Sequence, residues 1–116
     1  MKPVKVSTPA LIGPAWSSIE QEPLGVYLVM GSWNYPLFTS LGPAISAIAA
    51  GNCVVVKPSE MAPYSSRVIK QLITKHLDFS AMACIEGGVQ VAIALTSKNI
   101  DGITFTGSTE KGKLVA

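Results

Sequence analysis

Apolar residues along this chain fall into short unbroken runs that alternate with stretches of helical spacing. Leu24–Met30 is an apolar run ending at Gly31, and Cys53–Val56 carries three consecutive valines before Lys57 and Pro58. Such runs suit strands buried on both faces, as in a parallel sheet covered by helices. Ala83–Glu86, closed by Gly87-Gly88, and Gly102–Thr106, followed by Gly107, predict two further strands. Leu37–Ala50 is rich in Ala, Leu and Ile and is closed by Gly51-Asn52, residues that tolerate positive φ. It predicts a helix in which Pro43 sits near the first turn or makes a kink. Pro63 is a natural first helical residue, and Val68, Ile69, Leu72, Ile73 and Leu77 then form one apolar stripe. His76 falls in the last turn of that helix, where the dipole favours a cation, and is expected as a surface cap. Val89–Leu95 and a segment starting near Thr109 predict two more helices.

Strands alternating with helices through short links imply right-handed βαβ units, hence an α/β fold with a parallel sheet over residues 23–116. Residues 1–22 carry prolines at 3, 9 and 14 and predict an extended arm or an edge hairpin. The length of 116 residues allows one domain. Composition changes the picture, because the chain is 48% hydrophobic but only 14% charged. Ordinary domains are about 25% charged, so much of this exterior is expected to be covered by other protein. The net charge of +2 is scattered, which argues against a nucleic-acid surface. No apolar run approaches the ~18 residues of a membrane helix. Cys53 and Cys84 lack metal-ligand spacing and are expected to be buried free thiols in a reducing, cytoplasmic compartment, with no metal site.

Three segments carry candidate chemistry, each just past the carboxyl end of a predicted strand, where ligands bind in open α/β sheets. In Lys57-Pro58-Ser59-Glu60, Pro58 stops the strand because it has no N–H for the ladder. The charged pair is then either a helix-entry cap or a handle for a polar ligand. In Trp33-Asn34-Tyr35-Pro36, the Asn34 amide either organises the turn or donates to a developing oxyanion. In Phe105-Thr106-Gly107-Ser108, with Gly112 beyond, a glycine turn leads into a helix start. Ser108 and Thr109 there either cap the helix or donate hydroxyls to a phosphate. Gly107-x-x-x-x-Gly112-Lys113 matches most of a nucleotide-triphosphate loop, but Leu114 replaces the hydroxyl residue that would bind magnesium.

These three motifs, with Glu22-Pro23-Leu24-Gly25-Val26 before them and Ala47-Ile48-Ala49-Ala50-Gly51-Asn52 between, resemble the aldehyde dehydrogenase superfamily, most of all its class 3, fatty-aldehyde-type branch. The resemblance covers nearly the whole chain. It implies part of a Rossmann-like sheet with helices on both faces, and NAD- or NADP-dependent oxidation of aldehydes. By that resemblance Asn34 is the oxyanion donor, and Lys57 and Glu60 reach the adenosine ribose. Trp33 lines the cofactor groove, and Gly107, Ser108 and Gly112 receive the pyrophosphate. Residues 1–22 correspond to bridging and oligomerisation strands, so homo-oligomers are expected. The family's nucleophilic cysteine and general-base glutamate have no counterpart here, so the chain is expected to be an internal piece, inactive alone. The alternative is a non-catalytic nucleotide-binding or interaction remnant that associates with a full-length relative.

Overall fold

The computed structural model describes residues 2–116. Near the start, β1 (Val4–Val6) and β2 (Ser17–Ile19) pair antiparallel across a 3-10 turn at Ala10–Ile12 and form a small sheet of their own. The side chains of Leu11, Ile12 and Trp16 there are exposed.

The main sheet has four parallel strands, β3 (Val26–Met30), β4 (Cys53–Lys57), β5 (Met82–Cys84) and β6 (Gly102–Phe105), in the order β5-β4-β3-β6. Between them lie α1 (Pro36–Ala49), α2 (Pro63–His76) and α3 (Val89–Thr96), and α4 (Thr109–Val115) follows β6. From β3 the sheet grows through β4 to β5, then returns to the far side of β3 for β6. With right-handed crossovers, that reversal sets α3 on the face opposite α1 and α2. The valine runs serve this arrangement, because successive side chains point to opposite faces. Val29, Val54, Val56 and Met82 pack with Ala44, Ala47, Ile69 and Ile73 in the core beneath α1 and α2. Leu28, one residue before Val29, is fully buried on the other face.

The edge of the sheet where the strands begin is wired by side chains that periodicity does not flag. Asn52 is buried; its Oδ1 accepts from Gly25 N at 3.0 Å and its Nδ2 donates to Ala47 O at 2.9 Å. Asp101 Oδ2 accepts from Val26 N at 2.7 Å, while Asp101 N donates to Val26 O at 2.9 Å. Gly25 has φ +127°, and a Cβ there would run into the Asp101 carboxylate, so only glycine fits.

Three expectations shift. Pro43 lies well inside α1 rather than in its first turn. β5 starts at Met82 and ends at Cys84, one to two residues earlier than Ala83–Glu86, because its pairing with Val54–Val56 sets its register and Gly87 turns the chain away at φ +154°. Of the α2 stripe only Ile69 and Ile73 are buried; Val68, Leu72 and Leu77 are exposed. Leu72 and Leu77 instead line an open apolar groove of about 490 Å³ with Leu41, Ile45, Ile48 and Met82, which fits the low share of charged residues. His76 is exposed in the last turn of α2. Among the described residues no helix is long and apolar enough to cross a membrane.

Candidate functional site

The three candidate segments leave the sheet along one edge and are tied together where they leave. Gly31 N donates to Lys57 O at 3.0 Å, joining the end of β3 to the end of β4. Thr106 N donates to Met30 O at 3.1 Å, joining the end of β6 to β3. The Asn34 turn and the Gly107 turn therefore emerge from neighbouring strands at the point where the strand order reverses. In open α/β sheets that reversal opens a crevice at the carboxyl ends of the strands.

The Asn34 turn is held from within. Ser32 is buried; its Oγ donates to Asn34 Oδ1 at 2.8 Å, and its N donates to Thr39 Oγ1 at 3.0 Å. Thr39 Oγ1 in turn donates to Tyr35 O at 3.0 Å in the first turn of α1. The Asn34 carbonyl oxygen is thus engaged, while its NH2 group has no acceptor among the described residues. An amide fixed in this way offers two N–H donors outward. Ser32 and Thr39 escape a motif search because the contact that matters joins a strand end to a helix turn. The only hint in the sequence is a hydroxyl residue two places before the asparagine. Trp33 beside it is 60% exposed.

Lys57 ends β4 as a buried side chain. Its Nζ donates to Pro58 O at 3.0 Å and to Glu60 Oε2 at 3.0 Å. Glu60 is itself exposed. Its own backbone N–H is the main cause holding its carboxyl below the ordinary carboxylate range; burial opposes this, and the hydrogen bond and charge of Lys57 each add a smaller lowering. An ammonium has three N–H donors. One therefore remains beside a carboxylate oxygen, a donor and acceptor pair that complements a vicinal diol. Pro58 and Ser59 carry the chain into α2, with Ala62 N donating to Ser59 O at 3.2 Å.

At the third segment, Ser108 is the N-cap of α4, its Oγ accepting from Lys111 N at 3.4 Å. The cap alternative is therefore the one seen, and the hydroxyl proton stays free. A Cβ on Gly107 would run into the tip of the Phe105 ring, which would have to swing aside to admit it. Gly112 lies inside α4, where an alanine Cβ would make only ordinary contact with Phe105, so the described chain itself does not require glycine at that place.

The cysteine expectation needs correction. Cys53 is exposed, because it opens β4 at the starting edge of the sheet, and Cys84 is half-buried. Burial, reinforced by the Glu86 charge and opposed by Lys70, pushes the Cys84 thiol up to about 11. That residue borders a cluster missed in the sequence: Glu86 accepts from Ser66 Oγ at 2.9 Å and pairs with Lys70 Nζ at 3.3 Å. A pKa raised by folding favours the neutral thiol. Its stabilising effect is complete below the ordinary value of 9.0 and is lost as pH rises through about 11. Timed iodoacetamide labelling at pH 8 is expected to modify Cys53 well before Cys84; equal rates would contradict the difference in environment. Among the described residues no group of three or more His, Cys, Asp or Glu could hold a metal ion.

Four parallel strands flanked by helices, with polar groups gathered at the reversal point, define an open α/β architecture. Residues 5–116 match the model of the aldehyde dehydrogenase family. The chain is 47% identical over 115 residues to an aldehyde dehydrogenase of Craterostigma plantagineum, covering 99% of this chain and 24% of that protein. It is 45% identical to aldehyde dehydrogenase family 3 member H1 of Arabidopsis thaliana, again over 99% of this chain and 24% of the relative. Among solved structures, the substrate-bound state of Staphylococcus aureus AldH superposes with a TM-score of 0.95 at 41% identity, covering 98% of this chain and 25% of that one. This chain belongs to the aldehyde dehydrogenase family. It spans about a quarter of the length of the curated relatives it matches.

Proposed function

We propose that this chain supplies the cofactor-holding edge and the oxyanion donor for NAD- or NADP-dependent oxidation of an aldehyde to a carboxylic acid. The observation that carries the reading is the meeting of the Asn34, Lys57–Glu60 and Gly107–Ser108 segments on one edge of the sheet, tied by Gly31 N to Lys57 O and Thr106 N to Met30 O. A nicotinamide cofactor fits that edge: the remaining N–H of Lys57 and the Glu60 carboxylate suit the two hydroxyls of a ribose. Gly107 and the free hydroxyl proton of Ser108 suit its pyrophosphate. Trp33 and the region of Gly112 would border the same groove. When bound, the cofactor supplies the two-electron oxidant.

The chain's own part in the chemistry is to bind and orient. Asn34 Nδ2 donates to the aldehyde oxygen as negative charge develops there, and the ion pair of Lys57 and Glu60 seats the ribose. The nucleophile and general base belong to the remainder of a complete enzyme. Residues 1–22 suit a bridging role between subunits, and residues 23–116 the N-terminal part of the cofactor-binding domain.

The test places the 115 matched residues in the frame of the Craterostigma plantagineum relative and follows aldehyde-dependent reduction of NAD and of NADP. A folded chimera that reduces neither would refute the proposal. In an active chimera, Lys57→Met removes a hydrogen bond from a charged donor, a contact of about 1.5–3 kcal/mol, so KM for the cofactor should rise roughly ten- to a hundredfold with little change in kcat. An unchanged KM would remove Lys57 from the ribose site.

A further inference from the structure

We propose that Ser32 is a positioning residue for Asn34, and that Thr39 holds Ser32 in place. This rests on the reading of Asn34 as the donor to the aldehyde oxygen. Asn34 lies on an exposed turn, and the terminal torsion of an asparagine side chain is broad and roughly two-fold. Left to itself, the amide would present its carbonyl oxygen to the substrate about as readily as its NH2, and a carbonyl oxygen facing a developing oxyanion repels it. The Ser32 hydroxyl breaks that symmetry by donating to Asn34 Oδ1 at 2.8 Å. Ser32 is only 8% exposed, so water competes poorly for this contact.

Ser32 is fixed in turn from two sides. Its backbone N donates to Thr39 Oγ1 at 3.0 Å; its Oγ is also within donor reach of that atom at 3.2 Å, but its single proton goes to the nearer acceptor, Asn34 Oδ1 at 2.8 Å. Thr39 Oγ1 spends its own proton on Tyr35 O at 3.0 Å, so it meets Ser32 N as an acceptor. The proton order is then consistent along the chain: Ser32 N to Thr39, Thr39 to Tyr35 O, Ser32 Oγ to Asn34 Oδ1, and Asn34 Nδ2 outward. The end of β3 and the first turn of α1 thus aim one amide.

The test uses the chimera with the Craterostigma plantagineum relative, comparing S32A, S32T, N34A and S32A/N34A. S32A leaves the bond from backbone N to Thr39 in place and lets water reach Asn34 Oδ1, so the fold is expected to hold. Losing orientation but not the donor leaves about half of the amides correctly aimed, so kcat should fall about twofold, far less than on loss of the donor itself. KM for the cofactor and the pH profile should stay as in the parent. S32T restores a hydroxyl and should recover most of the activity, and the double variant should be no slower than N34A alone. An S32A chimera as fast as the parent while N34A is strongly impaired would overturn the positioning role and leave the Asn34 reading intact. An additive double variant would overturn it too. An N34A chimera as fast as the parent would overturn the Asn34 reading and this inference with it. Crystal structures of the active parent chimera and of S32A give a second readout: one Asn34 conformer in the parent and two in S32A support the inference, and an unchanged single conformer in S32A overturns it.

Discussion

Replacing Asn34 by alanine in the chimeric enzyme should lower kcat for aldehyde oxidation by about 10²–10³, the usual cost of removing one preorganised oxyanion donor. The loss should fall on kcat rather than on KM for the cofactor. Asn34 leaves the sheet from β3, whereas Lys57 and Glu60, the residues proposed to hold the ribose, leave it from β4. An interaction made only in the transition state lowers kcat and kcat/KM together. Stopped-flow and steady-state rates with one aldehyde at saturating cofactor would decide it. A variant that loses affinity for the cofactor and keeps its kcat would show that Asn34 serves the cofactor groove instead. Asn34→Asp makes a sharper comparison, since it keeps the shape and replaces the donor with an anion; it should be at least as slow as N34A.

The second large effect is on stability. Ile69→Ala should cost about 2–5 kcal/mol, because Ile69 is completely buried between α2 and the sheet and its truncation leaves a cavity. Val68, one residue earlier, is 47% exposed. Val68→Ala should stay within about 0.5–1 kcal/mol of the parent. Urea midpoints of the 116-residue chain, read by far-ultraviolet circular dichroism, compare the two. Equal losses would mean that the whole stripe is buried alike.

That contrast shows what could be read from residues alone. The four strands and the helices between them are visible because the valine run at 54–56 and the 3.6-residue stripe of α2 are local signals that agree with the tertiary fold. The depth of burial is not local. Val68, Ile69, Leu72, Ile73 and Leu77 look equivalent along the chain, yet the sheet covers only Ile69 and Ile73. Cys53 looks like the start of a buried run, yet it opens its strand at an uncovered edge. Pro43 lies inside α1 although an isolated helix disfavours it, because the packing of α1 on β3 and β4 outweighs local preference. The site divides in the same way. Asn34, Lys57, Glu60 and Gly107 stand out as polar or glycine residues at strand ends. Ser32 and Thr39, which orient Asn34, and Asn52 and Asp101, which brace the far edge, act through bonds between segments that no spacing rule connects.

The strand order has a consequence for how the protein is made. β3 is the first strand of the main sheet to be synthesised, but its partner on one side, β6, comes much later: Val26 and Asp101, which lock their starting ends together, are 75 residues apart. At about 5–20 residues per second, a ribosome takes roughly 4–15 seconds to cover that interval. Throughout it, β3 has an open edge, a template for pairing with another chain. The Asn34 turn is already synthesised during this time, but the Gly107 turn beside it does not yet exist. The arrival of β6 therefore covers β3 and sets the Gly107 turn beside the Asn34 turn in a single step, and β6 then becomes the outer strand on that side.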